Sequence, residues 1–302
     1  MTRSRSSRPL GAHMSIAGGC PKAIEHALSV QATALQIFTR NQKRWESKPL
    51  AQAEADAFRG ASVELDYVCA HAGYLINLAS PDESMRERSL VALLDELDRA
   101  ERLGCDCLVL HPGSPKDDAS TIGIGRVAKG LREALRATAG AEVRIALENT
   151  AGQGSTLGST LQELGAILDA CDRDPRLAVC IDTAHAFAAG YDLRTETGLA
   201  ALLRGIEQFV GWERLRVLHL NDAKNRCGSR ADRHEHIGQG QIGEDGFRRL
   251  LTAPELRHVP GIIETPKDGK SLAEDVTNLA TLRRLSGGGE GKVATKPTKR
   301  TK

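Results

Sequence analysis

Short apolar runs alternate with longer amphipathic stretches along this chain. The short runs are Leu10–His13, Ala34–Phe38, Tyr67–His71, Cys107–His111, Arg144–Glu148, Leu177–Asp182, Leu215–Leu220 and Gly261–Thr265. Their length and their β-branched and leucine content predict buried strands. Between them lie helical patterns at about 19–30, 50–60, 83–103, 121–138, 158–171, 196–210, 244–251 and 271–285. The stretch 89–100, Ser-Leu-Val-Ala-Leu-Leu-Asp-Glu-Leu-Asp-Arg-Ala, has a clear 3.6-residue period. Ser159 and Thr160 precede the Leu161/Leu164/Ile167/Leu168 stripe as candidate N-caps.

The polar residues that end the strands carry the chemistry. Six successive runs finish in His71, His111, Glu148, Asp182, His219 and Glu264. Each alone reads as a hydrogen-bonded strand end or a helix cap. Together they place three imidazoles and three carboxylates at corresponding positions, spaced 40, 37, 34, 37 and 45 residues apart. That spacing fits β/α repeats of roughly 30 residues plus loops. Eight such units predict a single-domain (β/α)8 barrel (a TIM barrel, class α/β), with all six side chains meeting at the C-terminal mouth. A doubly wound open sheet fits less well, because it gathers its site at one switch point. Imidazole and carboxylate ligands of this kind suit zinc, manganese or iron.

Charge sharpens this. The net charge of +2 hides +3 in the first ten residues and +4 in residues 286–302, which leaves −5 between them. Bound divalent cations would cancel that excess. The two basic ends predict a disordered leader at 1–9 and a disordered Gly/Lys/Thr tail at 286–302, flanking a domain at 10–285. Aromatic residues are only 3% of the chain, which argues against an extended base-stacking platform. No apolar run nears the roughly 18 residues of a membrane span. Seven cysteines without a Cys-x-x-Cys pair or a secretory leader fit a reducing cytoplasm. Cys105 and Cys107 read as packing residues, leaving the ligand cluster free of cysteine.

A second constellation lies nearby. His185 follows Asp182 at the end of the sixth run, and Asp232 with His234 or His236 lies in the loop after the seventh. His185, Asp232 and one of these two histidines fit a third ion. Gly238-Gln-Gly240-Gln-Ile-Gly243 matches the dinucleotide-binding G-x-G-x-x-G spacing, yet it follows a charged loop rather than a strand. It reads as a turn, with backbone contact to a substrate phosphate as the alternative. A cluster of metals suits phosphodiester hydrolysis, where two ions clamp the attacking and leaving oxygens.

Longer motifs carry a resemblance. Gly11-Ala-His-Met-Ser-Ile-Ala-Gly-Gly19, Tyr74-Leu-Ile-Asn-Leu78, His111-Pro-Gly-Ser114 and Glu148-Asn-Thr-Ala-Gly-Gln-Gly154 are similar to segments of endonuclease IV. So are Cys180-Ile-Asp-Thr-Ala-His-Ala-Phe-Ala-Ala-Gly-Tyr-Asp192, His219-Leu-Asn-Asp-Ala-Lys224 and Gly228-Ser-Arg-Ala-Asp-Arg-His234, in order across 10–285. The resemblance implies a zinc-dependent apurinic/apyrimidinic (AP) endonuclease of base excision repair. It implies three Zn²⁺, with manganese at one site as a variant. His71 and His111 would hold the first, Glu148 would bridge to the second, and Asp182, His219 and Glu264 would complete that one. His185, Asp232 and His234 would hold the third, which is why His234 is preferred over His236. Glu148 or Glu264 would orient or deprotonate the attacking water.

The same resemblance implies a monomer acting on duplex DNA that contains abasic sites or blocked 3′ ends, in the cytoplasm with the nucleoid. Cleavage 5′ to the abasic site would leave a 3′-hydroxyl. Lys43, Tyr74, Leu75 and Arg230 would contact DNA, with the abasic nucleotide flipped out of the stack. Lys43 stands where an arginine wedge is expected, and it lacks the planar guanidinium. A barrel sugar isomerase and a DNA-binding protein with structural zinc are the competing readings. The third constellation opposes the former, and the open cluster without cysteine opposes the latter.

Overall fold

The computed structural model describes residues 8–269 and 271–287. In chain order its elements are β1 (Leu10–Met14), α1 (Cys20–Ser29), β2 (Ala34–Phe38), α2 (Gln52–Ser62), β3 (Tyr67–His71) and α3 (Glu83–Leu103). Next come β4 (Cys107–Leu110), α4 (Ser120–Ala137), β5 (Arg144–Glu148), α5 (Leu161–Ala170), β6 (Leu177–Asp182), α6 (Thr183–Ala189) and α7 (Glu196–Gly205). The last are β7 (Leu215–His219), β8 (Asp222–Ala223), β9 (His234–Glu235), α8 (Gly243–Thr252), β10 (Gly261–Ile263) and α9 (Ala273–Leu285).

Eight strands close a parallel barrel in the order β1-β10-β7-β6-β5-β4-β3-β2. The (β/α)8 expectation is thus met. Closure brings neighbouring backbones tightly together at Gly11, where a Cβ would lie 1.7 Å from the Ala34 carbonyl oxygen. Inside the barrel, small and β-branched side chains such as Ala34, Cys69, Ala146, Cys180 and Val217 form a separate packed layer. A larger apolar shell lies between strands and helices. At the N-terminal mouth the Asp106 carboxylate accepts from Arg144 (3.1 Å) and Arg216 (2.8 Å), with the Tyr67 hydroxyl alongside at 3.5 Å. This network plugs the end of the barrel opposite the ligand cluster.

Helix starts follow local chemistry. Thr160, not Ser159, caps α5 by accepting from the Glu163 amide, and Glu163 reaches back to the amides of Gly158 and Ser159. Asp82 caps α3, which ends at left-handed Gly104. The expected helix at 196–210 divides into α7 and a π-helical turn at Ile206–Val210. α6 and both strands of the β8–β9 hairpin had no expectation. α6 is seven residues, and six of them are buried, so it presents no polar–apolar period.

The expected basic leader and tail lie mostly outside the described residues. At the leader's inner edge, Arg8 already donates to the Leu256 carbonyl at 2.7 Å. All seven cysteines are free. No helix among the described residues is long and apolar enough to cross a membrane.

Candidate metal centre

The strands end in register. Asp182 pairs with His219 across β6 and β7, and Glu148 pairs with Cys180 across β5 and β6. Parallel strands of one barrel therefore deliver their last side chains to one mouth. His71, Glu148, Asp182 and His219 close their strands, while His111 and Glu264 follow theirs by one residue.

Glu148 sits at the centre and is fully buried. Its Oε2 lies 2.9 Å from His111 Nε2 and 3.1 Å from His71 Nε2. Its Oε1 lies 3.1 Å from His219 Nδ1 and 3.2 Å from His185 Nδ1. One carboxylate thus faces two separate pairs of imidazoles. On the second side, His219 Nδ1 is 3.3 Å from Glu264 Oε2 and 4.0 Å from Asp182 Oδ2. On the third, Asp232 Oδ1 lies 3.2 Å from His185 Nε2 and 3.6 Å from His234 Nε2, and His234 Nε2 also lies 3.6 Å from Asp182 Oδ2.

These contacts sort into groups able to hold a metal: His71, His111 and Glu148; Glu148, Asp182, His219 and Glu264; and Asp182, His185 and His234. Asp182 therefore faces both the second and the third group. The Cys180 sulfur also lies within reach of Glu148 and His219, so the cluster is not free of cysteine as expected. His236 is turned away, its Nδ1 3.1 Å from the Asn278 amide nitrogen, so the geometry selects His234.

The electrostatics favour positive charge among these carboxylates. Burial pushes Glu148 up, but the charges of His111 and His219 outweigh it and hold the carboxyl well below the usual range. Glu264 is likewise lowered against its burial, chiefly by His219 and the His13 hydrogen bond. Burial opposes charge on His185 and His219, yet both are held well above the usual imidazole value. Asp182 and Asp232 do this for His185, while Cys180, Glu264 and Glu148 do it for His219. Divalent cations would supply the same compensation. His234 Nε2 is buried without a hydrogen-bond partner among the described residues. Such an atom costs about 1–3 kcal/mol unless something accepts its lone pair. A cation between it, Asp182 and Asp232 fits that need, so the donor set matches the metal expectation.

Supporting residues escaped the sequence reading. Asn221 donates to Asp182 Oδ2 and accepts from the Glu264 amide, both at 2.6 Å. Asn149 accepts from the Asp182 amide at 2.6 Å, and its carbonyl faces His185 Nδ1 at 2.9 Å. Asn149 directly follows Glu148, and Asn221 lies two residues after His219; that adjacency was the available signal. Gln36 and His13 are a further pair, visible only as polar residues inside apolar strands.

The glycine-rich motif has a structural explanation. The Asp222 carboxylate accepts from the amides of Gly238, Gly240, Ile242 and Gly243 at 2.9–3.2 Å. Its amides are turned inward onto a buried side chain, which removes them from both the dinucleotide and the phosphate readings.

The expected DNA-contacting residues ring the mouth. Lys43 is exposed, with its amide donating to Asn41 Oδ1 at 2.9 Å. Tyr74 is 63% exposed and meets Phe38 edge-on at 5.4 Å, beside His71. Leu75 is half-buried. Arg230 is exposed at a left-handed φ of 53°, pinned by its amide to the Ala188 carbonyl. The Lys43 and Tyr74 loops are tied together by the buried Arg40–Glu96 pair, since Glu96 accepts both from Arg40 Nε and from the Gly73 amide at 3.1 Å.

Comparison with known proteins agrees with the barrel fold. The AP endonuclease 2 family model, described as a xylose isomerase-like TIM barrel, matches residues 24–285. "Probable endonuclease 4" of Oleidesulfovibrio alaskensis is 46% identical over 291 residues, covering 94% of this chain and 99% of that protein. The crystal structure of endonuclease IV from Thermus thermophilus superposes with a TM-score of 0.80 at 37% identity, covering 92% of this chain and 98% of that one. A D-tagatose 3-epimerase-like protein shares the fold alone, with a TM-score of 0.70 at 18% identity over 91% of this chain and 96% of that one. The chain belongs to the endonuclease IV family.

Proposed function

We propose that this DNA-repair endonuclease hydrolyses the phosphodiester 5′ to an abasic site in duplex DNA, leaving a 3′-hydroxyl, and removes blocking groups from 3′ ends. It does so with three zinc ions, one site being open to manganese. The observation that carries the reading is Glu148, whose two oxygens each face a different pair of histidines. His71 and His111 would hold one ion with Glu148; Glu148, Asp182, His219 and Glu264 a second; and His185, Asp232 and His234 a third. When bound, the ions supply charge neutralisation at the phosphate and a water that ionises near neutral pH.

The chain's own residues divide the remaining work. Glu148 is fully enclosed, whereas the Glu264 side chain is 17% exposed. This supports Glu264 as the carboxylate that orients the attacking water, with Glu148 as a bridge. Tyr74 and Leu75, beside His71, would enter the minor groove, and Lys43 would occupy the gap left by the flipped nucleotide. Arg230 would hold a phosphate on the opposite rim. The protein would act as a monomer in the cytoplasm.

The test is product chemistry. A 5′-labelled duplex with one tetrahydrofuran abasic analogue should give a single fragment ending just 5′ to the analogue. That end should be extended directly by a DNA polymerase. A fragment that a polymerase cannot extend, or equal cutting of the undamaged duplex, would overturn the proposal.

A further inference from the structure

We infer that Gln36 is a positioning residue that decides which nitrogen of His219 and which oxygen of Glu264 face the metals; this rests on the metal reading above. Three of the cluster's histidines are anchored through Nδ1 to backbone carbonyls. His71 meets Ala72 at 2.7 Å, His185 meets Asn149 at 2.9 Å, and His234 meets Glu264 at 3.2 Å. A carbonyl only accepts, so each Nδ1 carries the proton and Nε2 is left as the ligand atom. His219 is reversed. Its Nε2 lies 2.8 Å from Gln36 Oε1, and its Nδ1 faces Glu148 and Glu264.

The orientation of the Gln36 amide is dictated by its surroundings. Its Nε2 lies 2.6 Å from Glu264 Oε1 and 3.0 Å from His13 Nδ1, so the amide N–H groups donate toward both. The other end must then be the oxygen, which also accepts from the Cys69 thiol at 3.4 Å. An oxygen there fixes a proton on Nε2 of His219 and leaves Nδ1 as the nitrogen from which a metal would displace the other proton. The same amide occupies Glu264 Oε1 and leaves Oε2 toward His219. One fully buried side chain on β2 thus sets two ligands on β7 and after β10. His219 is the histidine among these four whose tautomer depends on a side chain, so it can be altered by substitution.

The test compares Gln36→Leu and Gln36→Glu with the wild-type chain. Zinc affinity is read by competition with a chelating dye, the His219 tautomer by ¹⁵N shifts of the zinc-loaded protein, and folding by thermal melting. Wild type should show zinc on Nδ1 of a His219 protonated at Nε2. Gln36→Leu should melt as a folded barrel yet bind one zinc about 10–100-fold more weakly, with a mixed His219 tautomer. Gln36→Glu keeps the acceptor and loses the donor, so it should retain the His219 tautomer and still lose zinc affinity through Glu264. This second variant decides the matter if the leucine variant fails to fold. Wild-type zinc affinity and tautomer in a folded Gln36→Leu, or unchanged affinity in Gln36→Glu, would overturn the role of Gln36 alone. A wild-type chain that takes up no zinc would overturn both this inference and the metal reading.

Discussion

Glu148 Oε2 lies 2.9 Å from His111 Nε2, while Oε1 of the same carboxylate lies 3.1 Å from His219 Nδ1 on the other side. A carboxylate in that position belongs to two ligand groups at once. Glu148→Gln removes its charge with almost no change in volume. It should release two metals together and lower incision by at least about a hundredfold, the scale of losing a major electrostatic contribution. Glu264→Gln should weaken one metal only. Zinc analysis of both variants checks this; equal metal loss in the two would mean that Glu148 does not bridge.

Metal uptake should release protons. Against the opposing effect of burial, His185 is held well above the usual imidazole value by Asp182 and Asp232, and His219 by Cys180, Glu264 and Glu148, so the folded chain keeps protons on them past the pH where free histidine loses them. Zinc must displace those protons. Apparent zinc affinity should therefore fall as pH falls through the raised histidine range and level off above it. Calorimetry of zinc binding in two buffers of different ionisation enthalpy measures the protons released. A heat independent of buffer would contradict the prediction.

The Arg40–Glu96 pair makes a separate prediction about stability. Both side chains are almost fully buried, and Glu96 also holds the Gly73 amide. Glu96→Leu leaves the Arg40 guanidinium with the partly exposed Asp95 carboxylate at 3.3 Å and the Trp45 carbonyl, and should cost about 3 kcal/mol, the lower end for breaking a buried pair. The double variant with Arg40→Met should recover much of that loss. Urea unfolding measures both; a double variant no more stable than Glu96→Leu would show that the pair is not coupled.

Much of the candidate site was legible because strand ends in a barrel converge by topology, so six candidate ligands could be found without knowing any distance. His185 and Asp232 followed from adjacency. What the sequence did not disclose is anything that depends on tertiary proximity without a local period. Gln36 is an ordinary polar residue in Ala-Leu-Gln-Ile-Phe until β2 is seen beside β1 and across from His219. The five-amide cradle around Asp222, counting Ala223, was likewise hidden, because the glycine spacing imitates a phosphate loop and its partner lies 16 or more residues upstream. The expected arginine wedge is a lysine in this chain, and spacing alone assigns it no energy.

Lys43 gives that last point a test. It is exposed on the loop held by Arg40. A planar guanidinium stacks on bases where an ammonium does not. Lys43→Arg should therefore bind abasic duplex a few-fold more tightly while kcat changes little. Fluorescence anisotropy with an abasic and an intact duplex measures this. Equal tightening on both would mark Lys43 as a general phosphate contact rather than a wedge.

Incision should depend on metals held by this cluster. Counting zinc and measuring incision in one preparation before chelation, after chelation and after zinc is restored checks this. About three zinc per chain are expected, one for each of the three proposed sites, with incision at the abasic site that disappears on chelation and returns with zinc. Full incision by the zinc-free chain, or none by a chain carrying three zinc ions, would contradict it.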